Sequence, residues 1–145
     1  MSMDKENIAG KEKIVELDVE KINIIDKDGN IRMSLFNSDC IPDPIIDGKV
    51  RKRSGIIPFS GILFYNNDGD ECGGLTFGSR TYTSEDFGGQ YAGKTESFAS
   101  LTFDAYKGDQ VTQMYFHENV FGERSYGHIL YDRPSGVVRA SMDRS

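Results

Sequence analysis

The sequence predicts an all-β domain: an antiparallel meander of β-hairpins that closes into a lipocalin-like barrel or folds into a sandwich, with little helix. Short apolar runs alternate with polar residues, which is typical of half-buried strands. Glycine is frequent, with 16 among 145 residues, and the pairs Asp28-Gly29 and Asp68-Gly69 stand between apolar runs. Because glycine adopts positive φ without steric cost, these pairs indicate tight hairpin turns.

We expect residues 1–12 to be a flexible tail and residues 13–145 to form one domain, since this is an ordinary length for a single domain. The composition is globular, with 37% hydrophobic and 28% charged residues. Neither a disordered nor a fibrous chain has this balance.

Residues 13–21 are predicted as a strand. Val15, Leu17 and Val19 alternate with charged residues, and their β-branched content favours a strand, although the spacing also fits a helix. A first hairpin then spans residues 22–35.

Three more hairpins are predicted, at residues 61–77, 100–116 and 128–142. The connection at residues 37–60 contains three prolines, which cannot donate to a strand ladder. The longest irregular stretch is residues 78–99, and a loop of this length is usually functional or disordered.

The turn glycines form a weak internal repeat, because an Asp or Asn stands three or four residues before each of them. The glycines are Gly29, Gly69, Gly108 and Gly136, and the polar residues are Asp26, Asn66, Asp104 and Asp132. Because a single hairpin is marginally stable in water, we expect the repeated units to share one core.

Charge and composition exclude several classes of partner. The net charge of -6 disfavours nucleic acid, whose binders carry basic patches. The chain has no apolar run of about 20 residues, the length of a membrane span, and its charged N-terminus is not a signal peptide. The two cysteines, Cys40 and Cys72, do not make a disulfide framework. The sequence therefore predicts a cytoplasmic protein that binds neither nucleic acid nor membrane.

Residues 88–95, GGQYAGKT, match the pattern of a phosphate-binding loop. In such a loop Lys94 would contact phosphates and Thr95 would hold Mg²⁺, between a buried strand and a helix. Here polar residues precede the motif and a strand follows it, so a glycine-rich hairpin connection is favoured. The acidic turns also lack the spacing of a calcium-binding loop. We predict neither a cofactor nor a metal site.

His117 and His128 are the two histidines. With Glu118 and Asp132 they could form a metal site, or a base with its orienting carboxylate, in an enzyme. Nothing in the spacing requires this, and half-exposed histidines at strand ends are common. No catalytic residue is assigned.

The second half of the chain is rich in aromatic residues, whose ordinary role is packing between strands. At the mouth of a barrel they would instead form the walls of a small-molecule pocket. The candidate ligand-binding residues are Arg80, Tyr82, Phe87, Tyr91, Tyr115 and His117, with Arg80 as the polar anchor.

Four blocks occur in a fixed order: INIIDKDGNIRMSL, GILFYNNDGDECGGLTFG, SLTFDAYKGDQV and YDRP. From Ile22 to Pro134 the chain resembles a family of small uncharacterised bacterial proteins with this pattern. The resemblance implies a soluble bacterial protein and supplies no activity and no catalytic residues.

The preferred interpretation is a non-enzymatic all-β binding or self-assembly module that forms a homo-oligomer, because open hairpin edges need pairing or covering. The alternative is a lipocalin-like barrel that binds a small molecule. An enzyme that uses His117 or His128 is the third interpretation.

Overall fold

The computed structural model describes residues 10–53 and 57–144, and it confirms the all-β prediction. The described residues form ten strands: β1 (Lys21–Ile25), β2 (Ile31–Phe36), β3 (Ile45–Ile46), β4 (Lys49–Val50), β5 (Ser60–Tyr65), β6 (Glu71–Thr81), β7 (Thr95–Asp104), β8 (Gln110–Glu118), β9 (Arg124–Tyr131) and β10 (Val138–Arg144). A short 3₁₀ turn, Asp86–Gly89, lies between β6 and β7.

Eight of these strands form one antiparallel sheet in the order β1-β2-β5-β6-β7-β8-β9-β10. Within this sheet each strand therefore pairs with the next sheet strand along the chain, as a meander requires. The short strands β3 and β4 form a separate ribbon within the connection between β2 and β5. In the part of the chain that the structure describes, β1 and β10 are the two edges of the large sheet.

All four predicted hairpins are present, as β1–β2, β5–β6, β7–β8 and β9–β10. The predicted irregular stretch at residues 78–99 is too long, because β6 continues to Thr81 and β7 already begins at Thr95. The loop itself is residues 82–94.

The predicted strand at residues 13–21 is wrong for all but its last residue. The chain is irregular and exposed over residues 11–20, and the sheet begins at Lys21. Alternation alone does not make a strand, since its backbone groups also need a neighbouring strand. Of the predicted tail, residues 1–9 lie outside the described residues.

Three of the hairpin turns are held by the same pair of side-chain hydrogen bonds. Asp26 Oδ1 accepts hydrogen bonds from the backbone N–H groups of Asp28 and Asn30, at 2.9 and 3.0 Å. Asn66 and Asn119 make the same pair of bonds in their own turns. Such local bonds stabilise a turn in which glycine then adopts positive φ.

In these three turns the capping residue stands three positions before the glycine, whereas Asp132 stands four positions before Gly136, whose N–H donates to the Asp132 carbonyl oxygen. Asn119 and Gly122 form an additional turn of this kind between β8 and β9, which the sequence analysis missed although the same spacing was present. Asp104 is not such a residue, because Ala105 occupies the corresponding place before Gly108.

Strand register separates the sheet into two unlike faces, since directly paired residues point to the same side. One face, here called the apolar face, carries a row that crosses all eight strands: Ile22, Leu35, Ile62, Leu75, Leu101, Met114, His128 and Met142. The opposite face, here called the covered face, carries Ser34, Phe36 and Leu63, which are buried.

The connection between β2 and β5 packs on the covered face. The ring of Phe59 makes edge contacts with Phe36 and Phe98, with centroids 5.9 and 6.2 Å apart. The backbone N–H of Gly48 donates to Asp70 Oδ1 at 2.7 Å. These contacts bury apolar rings at one end of the connection and a polar turn at the other.

At Gly78 of β6, the backbone of the β2–β5 connection approaches the sheet closely. A Cβ atom there would lie 2.1 Å from the carbonyl oxygen of Pro58 and 3.0 Å from Phe59 Cα. Both distances are well inside van der Waals contact. A larger residue therefore cannot be accommodated without moving backbone.

Gly78→Ala should lower the free energy of unfolding by about 1–3 kcal/mol, because the added methyl group forces the Pro58 backbone to shift. Urea unfolding at fixed protein concentration measures this change. Ser79→Ala, at the exposed neighbouring position, is the matched control and should change stability by less than about 0.5 kcal/mol. Equal stability of Gly78→Ala and wild type would contradict the close approach.

Candidate functional site

The apolar face carries large hydrophobic side chains with no second layer of described residues over them. Its exposed members are between 40% and 79% accessible: Ile24, Leu75, Phe77, Phe103, Met114, Tyr126, Leu130 and Met142. These exposures are those of an open layer, since no other described residues cover this side of the sheet.

Charged residues on the apolar face are confined to one end. Among the described strand residues, register places Glu118, Arg124 and Arg144 on this side, next to the turn between β8 and β9. Arg124 pairs with Glu118. Near the centre, His128 Nε2 lies 2.5 Å from Thr112 Oγ1. The rest of the face has no charge that would require water or a counter-ion.

Two shallow depressions mark the apolar face. One, of about 440 Å³, is lined by Leu101, Met114, Phe116, His128 and Met142 among others. The other, of about 360 Å³, is lined by Ile22, Leu35, Ile62 and Phe77 among others. Side chains of a second apolar surface could fill both, since depressions of this size fit bulky aliphatic or aromatic groups.

The predicted ligand-binding residues of the 82–94 loop lie together. Tyr82, Phe87, Tyr91 and Phe121 pack ring against ring, with neighbouring centroids 5.7–6.2 Å apart. Arg80 pairs with Asp86 and lies over the Tyr82 ring. The aromatic rings contact one another, so their first role is to hold the loop on the sheet.

His117 joins this cluster through a carboxylate. The buried Tyr82 hydroxyl donates to Glu96 Oε2 at 2.6 Å, and His117 Nε2 lies 2.7 Å from Glu96 Oε1. The hydrogen bonds from Tyr82 and His117 lower the pKa of Glu96, while the bond to Glu96 raises the pKa of Tyr82. Glu96 therefore stays ionised and ties the loop to β7 and β8.

Tyr115 lies two residues before His117 on the same face of β8. Its pairing partners are Ser100 and Gly127. The structure thus places all six predicted ligand residues on the covered face or its loop, and a ligand for them stays a prediction.

The two histidines do not form one site. His117 pairs with Phe98 and Ser125, whereas His128 pairs with Met114 and Met142, so the rings lie on opposite faces. Asp132 pairs with Arg139 instead. Within residues 10–53 and 57–144, no group of three or more His, Cys, Asp or Glu is arranged to hold a metal ion.

The phosphate-loop motif lies in a hairpin connection, as the sequence analysis favoured. Thr95 begins β7 directly after Lys94, and no helix N-terminus is available there to bind phosphate. The Lys94 ammonium lies 4.7 Å from the ring centroid of Phe121. Lys94 therefore helps to hold the loop against the turn between β8 and β9.

A polar cavity of about 320 Å³ lies between the β2–β5 connection and the covered face, lined by Arg53, Glu71, Asp104 and Asp109 among others. Arg53 donates to Glu71 at 3.0 Å. Burial, together with the negative charges of Glu71 and Asp109, raises the pKa of Asp104 to about 7. Burial also raises the pKa of Glu71, although Arg53 opposes this.

No protein-family model, curated protein or solved structure matches this chain. The described residues also contain no helix that is long and apolar enough to cross a membrane.

Replacing Asp104 tests the polar cavity. The folded chain holds this proton more tightly than the unfolded chain, so stability is lost as pH rises from 3.8 through about 7. Asp104→Asn should therefore be more stable than wild type at pH 8.5, by about 1 kcal/mol once solvent screening is allowed for. The gain should be smaller at pH 5.

Urea unfolding at pH 5 and pH 8.5 measures both differences. Asp28→Asn is the matched control, because it removes one exposed carboxylate from a turn outside the cavity. An increase in the free energy of unfolding of Asp104→Asn that is the same at both pH values would contradict a raised pKa of Asp104.

Proposed function

We propose that this protein is a non-enzymatic self-assembly module in which the apolar faces of two copies pack together as the layers of a β-sandwich. The observation that carries this proposal is the row across all eight strands of the sheet, in which seven members are hydrophobic and the eighth is His128. An apolar surface of this extent on a soluble protein marks an interaction site.

The size of the apolar face suits a stable dimer. Eight strands spaced about 4.8 Å apart make a sheet roughly 34 Å wide, and strands of five to eleven residues give it a length of roughly 25 Å. The face therefore offers roughly 800 Å² per partner, the area of a standard protein–protein interface. Two such sheets pack about 10 Å apart with interleaved side chains.

Two features favour a second copy as the occupant. An apolar face is complementary to an identical face without any matching of charge. The few charges at its end have both signs, in Glu118, Arg124 and Arg144, so a two-fold partner could pair with them. The face therefore suits self-association.

A small-molecule binder is the second candidate. The specific observation in its favour is the depression of about 440 Å³ on the apolar face, a volume that suits a drug-sized apolar ligand. In the proposed dimer this depression is filled by the other copy. An enzyme draws no support from the separated histidines. Bacterial origin and a cytoplasmic location stay predictions.

Met114→Glu should convert the dimer to a monomer, because it places a charge at the centre of the interface, where Met114 is 56% exposed. Desolvating an unpaired carboxylate costs several kcal/mol, so the dissociation constant should rise more than about 100-fold. Sedimentation equilibrium from 1 to 200 µM, a range chosen about typical affinities, measures it.

Val137→Glu is the control, since Val137 is 53% exposed but lies in the turn between β9 and β10. It should dimerise like wild type. A wild-type chain that remains monomeric throughout the range would refute the proposal, and so would equal dimerisation of Met114→Glu with unchanged circular dichroism.

A further inference from the structure

We infer that residues 13–17 of one copy add as a strand to the open edge of β10 of the second copy. The inference rests on the proposed self-assembly, because it names the segment that would complete the same dimer. It concerns the sheet edge and is thus separate from the packing of the two faces.

Residues 13–19 have the sequence of a strand but lack one to pair with in their own sheet. Val15, Leu17 and Val19 are 88%, 61% and 50% exposed, and they alternate with Glu16 and Asp18. The chain here is irregular, and strand pairing begins only at Lys21. These three aliphatic side chains would lie on the same side of a strand. In this structure they are exposed to solvent, and no described strand pairs with the segment.

β10 offers the complementary feature. All seven of its residues are exposed, and it pairs with β9 on one side while its other side is the edge of the sheet. An open edge presents unpaired N–H and C=O groups that can bind an added strand.

Residues 13–17 cannot reach β10 of their own chain. β1 and β10 lie at opposite edges, seven strand spacings or about 34 Å apart along the sheet. Lys13 precedes Lys21 by eight residues, a reach of at most about 28 Å, and Leu17 precedes it by four residues, a reach of about 14 Å. In a face-to-face pair whose strand orders run in opposite senses, β1 of one copy lies over β10 of the other, about 10 Å away. That distance is within reach.

The apolar side chains of the two segments are complementary. In a strand paired with β10, Val15 and Leu17 would extend the apolar face beside Met142, which is otherwise 79% exposed. Ile14 and Glu16 would then point to the other side, which carries Ser141 and Asp143, with Arg139 in the bulge of β10. Arg139 already contacts Asp132 through Nε at 3.0 Å, so an added acid would share an established cation.

Leu17→Pro tests this pairing in the full-length chain. Proline removes a backbone donor and fixes φ, so it prevents a paired strand, whereas the irregular segment of a single chain tolerates it. Leu17→Ile, which keeps the strand propensity, is the matched control. Hydrogen exchange of the β10 amides, measured by mass spectrometry in the dimer, is the readout, together with the dissociation constant.

For Leu17→Pro we expect the β10 amides to exchange at least about tenfold faster and the dimer to weaken by about tenfold, while Leu17→Ile behaves like wild type. Unchanged exchange at β10 in a Leu17→Pro chain that still dimerises would overturn the strand addition and leave the face-to-face dimer standing. A wild-type chain that never dimerises would refute both.

Discussion

The cross-strand ladder is the interaction on which the rest of this structure depends. Every strand of the large sheet pairs with its neighbour in register, so residues of one parity line up on one side across eight strands. A shift of one residue in any pair would move its apolar residues to the opposite face. The side-chain-capped turns at Asp26, Asn66 and Asn119 fix that register, because they set the length of each turn.

The two faces use this register differently. On the covered face, the connection between β2 and β5 supplies its own layer, with Phe59 between Phe36 and Phe98, and the 82–94 loop adds an aromatic cluster at one end. The apolar face receives no layer from the described residues. The described residues thus complete a core on one side of the sheet only, and the proposed self-assembly would complete the other.

The sequence was sufficient for elements whose signals are local. The four hairpins follow from alternation and from turn residues such as Asp28-Gly29, and both act over a few positions. The prediction of a strand at residues 13–21 was wrong because a strand also needs a neighbouring strand to pair with, and the local sequence does not specify that neighbour. The loop predicted at residues 78–99 was too long. Residues 78–81 and 95–98, at the two ends of this stretch, pair with each other in β6 and β7.

The candidate site was harder to predict for the same reason. Arg80, Tyr82, Phe87 and Tyr91 could be grouped because they are close in sequence, but the link from Tyr82 through Glu96 to His117 needs the register of three strands. The apolar row across the sheet joins one residue from each strand, so no window of sequence contains it. Only the assembled ladder shows that Leu75, Leu101 and Met114 are neighbours.

The meander also bears on how the protein is made. Because each strand pairs with the one just before it in the sheet, hairpins can form one after another as the chain leaves the ribosome, with little loop-closure entropy to overcome. The apolar face of the growing sheet would then be exposed before a second copy could bind to it. The rate of synthesis and the local concentration would determine whether this face binds a second copy, binds a chaperone or aggregates.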